Sequence, residues 1–254
     1  MIDIHSHILP SIDDGAQTLA DAIDMAKAAV AGGITTIIAT PHHRNGTFEN
    51  DKRSIIEHVH ALNETLQHHR IPLSVLPGQE VRIHGELLDY YRDGDILPLA
   101  ETKYVLIELP NNHVPRYTEQ LIFDMQLQGL IPIIAHPERN SELVEHPNKL
   151  YDLVKKGVLT QLTAASVAGK FGKNIKKFSL QMIEANLVHL IASDAHNTTT
   201  RAFHMREAYD VIQKQFGSQV VYVFQENAEL LVAGETLYKD APGRMKKKKF
   251  FGIF

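Results

Sequence analysis

Histidines and carboxylates recur in this chain at spacings that suit bound metal ions. Near the start, Asp3-Ile4-His5-Ser6-His7 sets two imidazoles two residues apart. In an extended segment both point to one side, as two ligands of one ion must. Further on come Ile12-Asp13-Asp14-Gly15, Thr40-Pro41-His42-His43, Pro77-Gly78-Gln79-Glu80, Ile107-Glu108, Ala135-His136-Pro137-Glu138-Arg139 and Ser193-Asp194-Ala195-His196. Each alone has an ordinary use, as a buried hydrogen-bonded histidine, a helix-capping aspartate or a solvated glutamate. A mixed imidazole and carboxylate shell without thiolate suits Mn, Fe or Zn, whereas Mg or Ca would favour an all-oxygen shell.

These residues fall at the ends of the elements that must hold them. Short apolar runs alternate with helical patterns, the signature of βα repeats around a largely parallel sheet. The runs predict strands over Ile2 to His5, Thr35 to Thr40, Leu73 to Glu80, Tyr104 to Leu109, Ile131 to His136, Leu159 to Thr163 and His189 to Ser193, with an eighth candidate at Val220 to Phe224. Seven is a barrel-like number. Leu19, Ile23, Ala26 and Val30 recur at helical spacing after a Thr18-to-Asp21 capping box and before Gly32-Gly33. Ile55, Val59, Leu62 and Leu66 make a second stripe, and similar patterns lie at Leu121 to Gln128, Ile175 to Leu187 and Phe203 to Phe216. In such architectures function collects at the carboxyl ends of the strands. Nearly every predicted strand ends there in a histidine or a carboxylate, which isolated structural roles do not explain.

Composition narrows the classes. The 254 residues, 44% of them hydrophobic, suffice for one large core, and no linker or repeat interrupts the series. A net charge of −4 gives no reason to expect nucleic acid as a partner. The absence of cysteine removes disulfides, thiolate metal sites and cysteine nucleophiles, and fits a reducing cytoplasm. No window approaches the roughly 18 apolar residues of a membrane span, and the start lacks a signal-peptide pattern.

The ordered motifs, from His5 to Arg201, resemble the polymerase-and-histidinol-phosphatase (PHP) superfamily, and within it the capsule-type, manganese-dependent protein-tyrosine phosphatases of Gram-positive bacteria. That resemblance implies a distorted TIM-like (β/α)7 barrel holding up to three Mn ions per chain, with Fe or Zn as substitutes. It places His5, His7, Glu80 and Asp194 at the first ion, Glu80 again with Glu108 and His136 at the second, and Asp14, His42 and His196 at the third. Asp13 is an alternative to Asp14, since neighbours in sequence are not separable by spacing. Arg139 and Arg201, each shortly after a ligand motif, stand where the family places phosphate-contacting arginines, and a guanidinium matches phosphate bidentately.

The implied reaction is hydrolysis of phosphotyrosine by metal-activated hydroxide, with a bacterial tyrosine kinase of capsular or exopolysaccharide synthesis as the expected phosphoprotein partner. The alternatives are a phosphoesterase for a small metabolite such as histidinol phosphate, an amidohydrolase, which would more often carry a bridging lysine where Glu108 stands, and a catalytically silent metal-binding module. Residues 1–243 are expected to form one phosphatase domain and 244–254 a basic and aromatic tail. Arg244 and Lys246 to Lys249 concentrate five positive charges there, leaving 21 positive against 30 negative residues in the body. This tail is a candidate for peripheral contact with an anionic membrane at its inner face.

Overall fold

A computed structural model of the chain describes residues 1–245. The strands are β1 (Ile2–Ser6), β2 (Thr36–Ala39), β3 (His42–His43), β4 (Ser74–Pro77), β5 (Glu80–Arg82), β6 (Tyr104–Glu108), β7 (Ile131–Ala135), β8 (Leu159–Thr163) and β9 (Leu190–Ala192). The helices are α1 (Leu19–Ala31), α2 (Lys52–His68), α3 (Leu87–Arg92), α4 (Thr118–Leu127), α5 (Ser141–Glu145), α6 (Pro147–Lys155), α7 (Ala164–Ala168), α8 (Lys173–Glu184), α9 (Met205–Phe216) and α10 (Ser218–Val232).

All strand pairs are parallel, in one sheet of order β1-β2-β4 and another of order β3-β5-β6-β7-β8-β9. The expected strand Leu73 to Glu80 is broken into β4 and β5, and the expected strand Thr35 to Thr40, present as β2, is followed beyond its predicted end by the short β3. Pro41 lacks an N–H to continue the ladder between β2 and β3. Gly78 separates β4 from β5 and lies so close to its neighbours that a Cβ there would come within 2.6 Å of Ile38 Cγ2. Counting β2/β3 and β4/β5 as one position each restores seven. The ring continues from β9 back to β1, where the His7 N–H donates to Ala195 O and the Asp194 N–H to His5 O, both at 2.9 Å. Asp3 fastens the same seam, because its carboxylate accepts from the Ser193 N–H at 2.9 Å and from the Ser193 hydroxyl. The architecture is thus the distorted (β/α)7 barrel expected from the sequence.

Strand alternation divides the apolar residues into two cores. One face packs outward under the helices, with Ile37, Val105, Ile107, Ile134 and Leu162 meeting Met25, Leu62, Met125 and Met182. The other fills the barrel with Ile4, Ile38, Leu106, Ile133, Leu159 and Leu190. The Thr18 capping box is present: the Asp21 N–H donates to Thr18 Oγ1 at 3.2 Å and the Thr18 N–H to Asp21 Oδ2 at 2.9 Å.

The eighth expected strand is absent, for Val220 to Phe224 lies inside α10. Val221, Phe224, Ala228 and Leu231 are all buried at helical spacing, and Ala228 with Leu231 joins the barrel core. No described helix is long and apolar enough to cross a membrane. Of the expected tail, Arg244 lies over the Tyr151 ring at 4.4 Å and 3.7 Å from Asp152, and Met245 packs against the outer core. Residues 246–254 lie outside the described residues.

At the amino end of β9, His189 is buried and accepts the Thr160 N–H on Nδ1 at 3.1 Å. Burial, then the nearby Lys239 charge, pushes its pKa down to about 4. The unfolded chain, with an ordinary value of about 6.5, binds more protons between those limits. Stability is therefore lost as pH falls from about 6.5 toward 4, and this residue should account for about 2 kcal/mol between pH 7 and pH 5. His189→Gln can keep an acceptor for Thr160 without the titration, so urea unfolding at the two pH values should show a smaller acid loss than in the parent. Equal losses would remove His189 as a cause.

Candidate metal centre

All nine metal-capable residues converge at the carboxyl ends of the strands, around Glu80. The atoms of His5, His7 and Glu80 able to bind an ion lie within 4.8 Å of one another, as do those of His42, Glu80 and Glu108, and those of His7, Asp14, His42 and His196. Asp194 Oδ1 is 3.5 Å from His5 Nε2 and 3.4 Å from His7 Nε2, and His136 Nε2 is 2.9 Å from Glu80 Oε1. The grouping is more shared than the sequence suggests. His42 turns Nδ1 toward Glu80 Oε2 at 2.9 Å and Nε2 toward Asp14 at 3.4 Å, so it joins two groups.

Outer contacts orient the imidazoles. The His5 Nδ1–H donates to Gln161 Oε1 at 3.0 Å, the His7 Nδ1–H to Asp13 Oδ2 at 2.6 Å, and the His196 Nδ1–H to the Asp194 carbonyl at 2.9 Å. A donor role at Nδ1 leaves Nε2 of the neutral ring as a lone pair, and in all three residues Nε2 faces the cluster. His5 and His7 consequently bring their Nε2 atoms within 3.2 Å of each other. Asp13 and Asp14 are thereby separated: Asp13 supports His7 from behind, while Asp14 faces His42 and His196. Gln161, which sequence reasoning passed over, sits on β8 with Leu159, whose side chain fills the barrel, and Thr163 at period two. A glutamine between Leu159 and Thr163 on the interior row of a strand was the available signal.

The donor set fits cations. Buried Glu80 Oε2 and His42 Nδ1 face each other at 2.9 Å, and buried His196 Nε2 faces Asp14 Oδ1 at 3.3 Å, without aligned hydrogen bonds, an arrangement that a cation between the facing lone pairs satisfies. Glu108 Oε2 is ion-paired with Arg82 Nη2 at 3.0 Å. Burial, then the adjacent Glu80 charge, pushes the Glu108 carboxyl up to about 7. Burial also acts to raise Glu80 and Asp194, but His5 and other cationic neighbours hold both well below the ordinary range. His7 is driven the opposite way: burial disfavours its charge, yet Asp13 holds its pKa well above the usual value. The cluster therefore needs positive charge among its carboxylates, which an ion can supply in place of protons.

Besides Arg82, which pairs with Glu108, two arginines border the centre at Asp194. Arg139 is ion-paired through Nη1 with Asp194 Oδ2, and Arg201 Nη2 lies 3.2 Å from the same oxygen. Arg201 Nη1 reaches Asp14 Oδ2 at 3.4 Å. Both guanidinium groups are partly exposed and retain further N–H donors. One anionic, phosphate-sized group could be met by both.

The CpsB/CapC family of capsular polysaccharide synthesis matches residues 1–233. The chain belongs to this family. Over 254 residues, covering all of both chains, it is 54% identical to the tyrosine-protein phosphatase YwqE of Bacillus subtilis (strain 168). It is 30% identical to the tyrosine-protein phosphatase CpsB of Streptococcus pneumoniae over 224 residues, or 86% of this chain and 92% of that one. The fold superposes on a crystal structure reported for YwqE and CpsB, "unique metal-dependent tyrosine phosphatases", with a TM-score of 0.96 and 54% identity, covering 97% of this chain and 100% of the other. The family match spans all nine metal-capable residues and both arginines.

Proposed function

We propose that this chain is a metal-dependent protein-tyrosine phosphatase, acting on phosphotyrosine of a bacterial tyrosine kinase linked to capsular or exopolysaccharide synthesis. The observation that carries the reading is the joining of three ligand-capable groups through Glu80, His7 and His42 directly beside Arg139 and Arg201. His5, His7, Glu80 and Asp194 are the ligands of one ion, Glu80, Glu108 and His136 of a second, and Asp14, His42 and His196 of a third, with Mn as the native metal. Bound there, the ions supply a hydroxide near neutral pH and neutralise charge on the phosphate oxygens.

The protein's own groups do the rest. Arg139 and Arg201 present planar donors to the phosphoryl oxygens, and Asp194 Oδ2 holds both guanidinium groups at one edge of the site. Gln161 and Asp13 fix the rings of His5 and His7. A phenolate leaving group, with a conjugate-acid pKa of about 10, needs less protonation than an alkoxide, which favours phosphotyrosine over histidinol phosphate. With no cysteine in the sequence, a thiol nucleophile is excluded.

Arg139→Ala and Arg201→Ala should each lower phosphotyrosine turnover on the order of 10² while keeping parental metal content. His136→Ala should lose metal as well. Near-parental kinetics in both arginine variants would overturn the phosphate-binding assignment, and activity undiminished by chelation would overturn the metal-dependent reading.

Residues 1–243 form the phosphatase domain, on which Arg244 and Met245 pack, and the protein works in the cytoplasm, where the rest of the tail 244–254 attaches it reversibly to an anionic membrane. Each lysine contributes about 1 kcal/mol to such attachment, which suits a kinase substrate at the same surface. Removing 246–254 should weaken binding to anionic liposomes at low salt and leave turnover of a small aryl phosphate unchanged. Equal liposome binding by the two forms would refute the attachment.

A further inference from the structure

Two partly exposed phenylalanines lean on the centre, each carried by a loop at the carboxyl end of the strands. Phe48 lies between β3 and α2, with its ring stacked 10° from parallel to His42 at a centroid distance of 6.3 Å. Its loop is fixed by Asn45, whose Oδ1 accepts from the Thr47 and Phe48 N–H groups, both at 2.9 Å. Phe171 lies between α7 and α8, and the Arg139 guanidinium stands over its ring at 5.8 Å. Gly169 (φ +93°) and Gly172 (φ +97°) provide the left-handed turns that bracket it. Other apolar side chains such as Phe123 and Leu127 are exposed on the outer surface, whereas these two are partly in water against polar groups of the site. An aromatic face at that position can take a second ring by offset stacking or an edge-to-face contact.

We infer that Phe48 and Phe171 are the aryl-recognition walls of the site, receiving the tyrosyl ring of a phosphotyrosine whose phosphoryl group lies at Arg139 and Arg201. This rests on the phosphatase reading above and adds the residues that select the leaving group. Neither ring enters the chemistry. Their contribution is affinity for an aryl group over an alkyl group, separate from the greater intrinsic reactivity of aryl esters.

Hydrolysis rates would mix these two effects, so the test uses ligands with no scissile ester. In the manganese-loaded protein, phenylphosphonate and methylphosphonate binding would be measured by calorimetry for the parent, Phe48→Ala, Phe171→Ala, the double variant and Phe48→Leu. Metal content would be determined alongside. Each alanine change should weaken phenylphosphonate several-fold, and the pair by about tenfold or more, while methylphosphonate stays within about twofold of the parent. Phe48→Leu, which keeps bulk against His42 without the ring, should resemble Phe48→Ala. Equal weakening of both phosphonates would mean that the rings merely support His42 and Arg139, and unchanged affinities would also overturn the inference. A parent that hydrolyses phosphotyrosine while its variants keep full aryl preference sinks the walls alone. A parent that neither hydrolyses phosphotyrosine nor binds phenylphosphonate sinks the phosphatase reading and the walls together.

Discussion

Glu80→Gln should lower phosphotyrosine turnover by on the order of 10³ or more and leave the protein with less than its full complement of metal. Glu80 is fully buried and belongs to two of the three ligand-capable groups, with His5, His7, His42 and His136 around its two oxygens. The substitution keeps the shape, so no cavity opens. It removes the negative charge that those neighbours share and presents an amide N–H₂ where a cation would sit. Melting temperatures separate the consequences: with a chelator present, parent and variant should melt within a few degrees of each other, while added manganese should stabilise only the parent strongly, because a ligand stabilises only the state that binds it. A variant that retains full metal and near-parental turnover would show that Glu80 is not a shared ligand.

Gly15→Ala is expected to act on the same centre by displacement alone. A Cβ at Gly15 would stand 2.0 Å from His7 O and 2.5 Å from His7 Cβ, so the Ile12-Asp13-Asp14 loop cannot stay in place. Asp13 would leave His7 Nδ1, and Asp14 would leave His42 and His196. Overpacking of this kind costs about 1–3 kcal/mol, and misplacing the loop should reduce turnover by on the order of 10² with a loss of metal. Gly85→Ala is the control, because that glycine is exposed with nothing within 4 Å of the added methyl group. Metal content and melting temperature near parental values in Gly15→Ala would refute the close-approach argument.

Much of this was legible from local pattern. The seven strand positions follow from apolar runs, and the residues ending them follow from the barrel's geometry. The two strand breaks carry local marks, a proline at 41 and a glycine at 78, but their position in the sheet depends on partners elsewhere in the chain. Val220 to Phe224 misleads because five apolar or aromatic residues in a row suit a buried strand. Only the longer spacing through Ala228 and Leu231 identifies a helix that enters the barrel core. At the site, the types of the nine residues were readable, whereas the way they share groups was not. Whether His42 faces one group or two depends on its ring orientation between Glu80 and Asp14, and Gln161 meets His5 across 156 residues of sequence.

Asp194 stands between two sets of clients: Oδ2 meets both arginines, while Oδ1 meets the histidine nitrogens and also Arg201 Nη2 at 3.4 Å. A carboxylate drawn toward a cation through Oδ1 cannot leave its grip on the guanidinium groups unaltered. On the proposed reading, metal occupancy and phosphate affinity would be thermodynamically linked, and reciprocally: whatever factor the metal contributes to binding a phosphoryl group, the phosphoryl group returns to binding the metal. Where the metal is scarce, a bound phosphorylated substrate would then itself help to keep the site loaded.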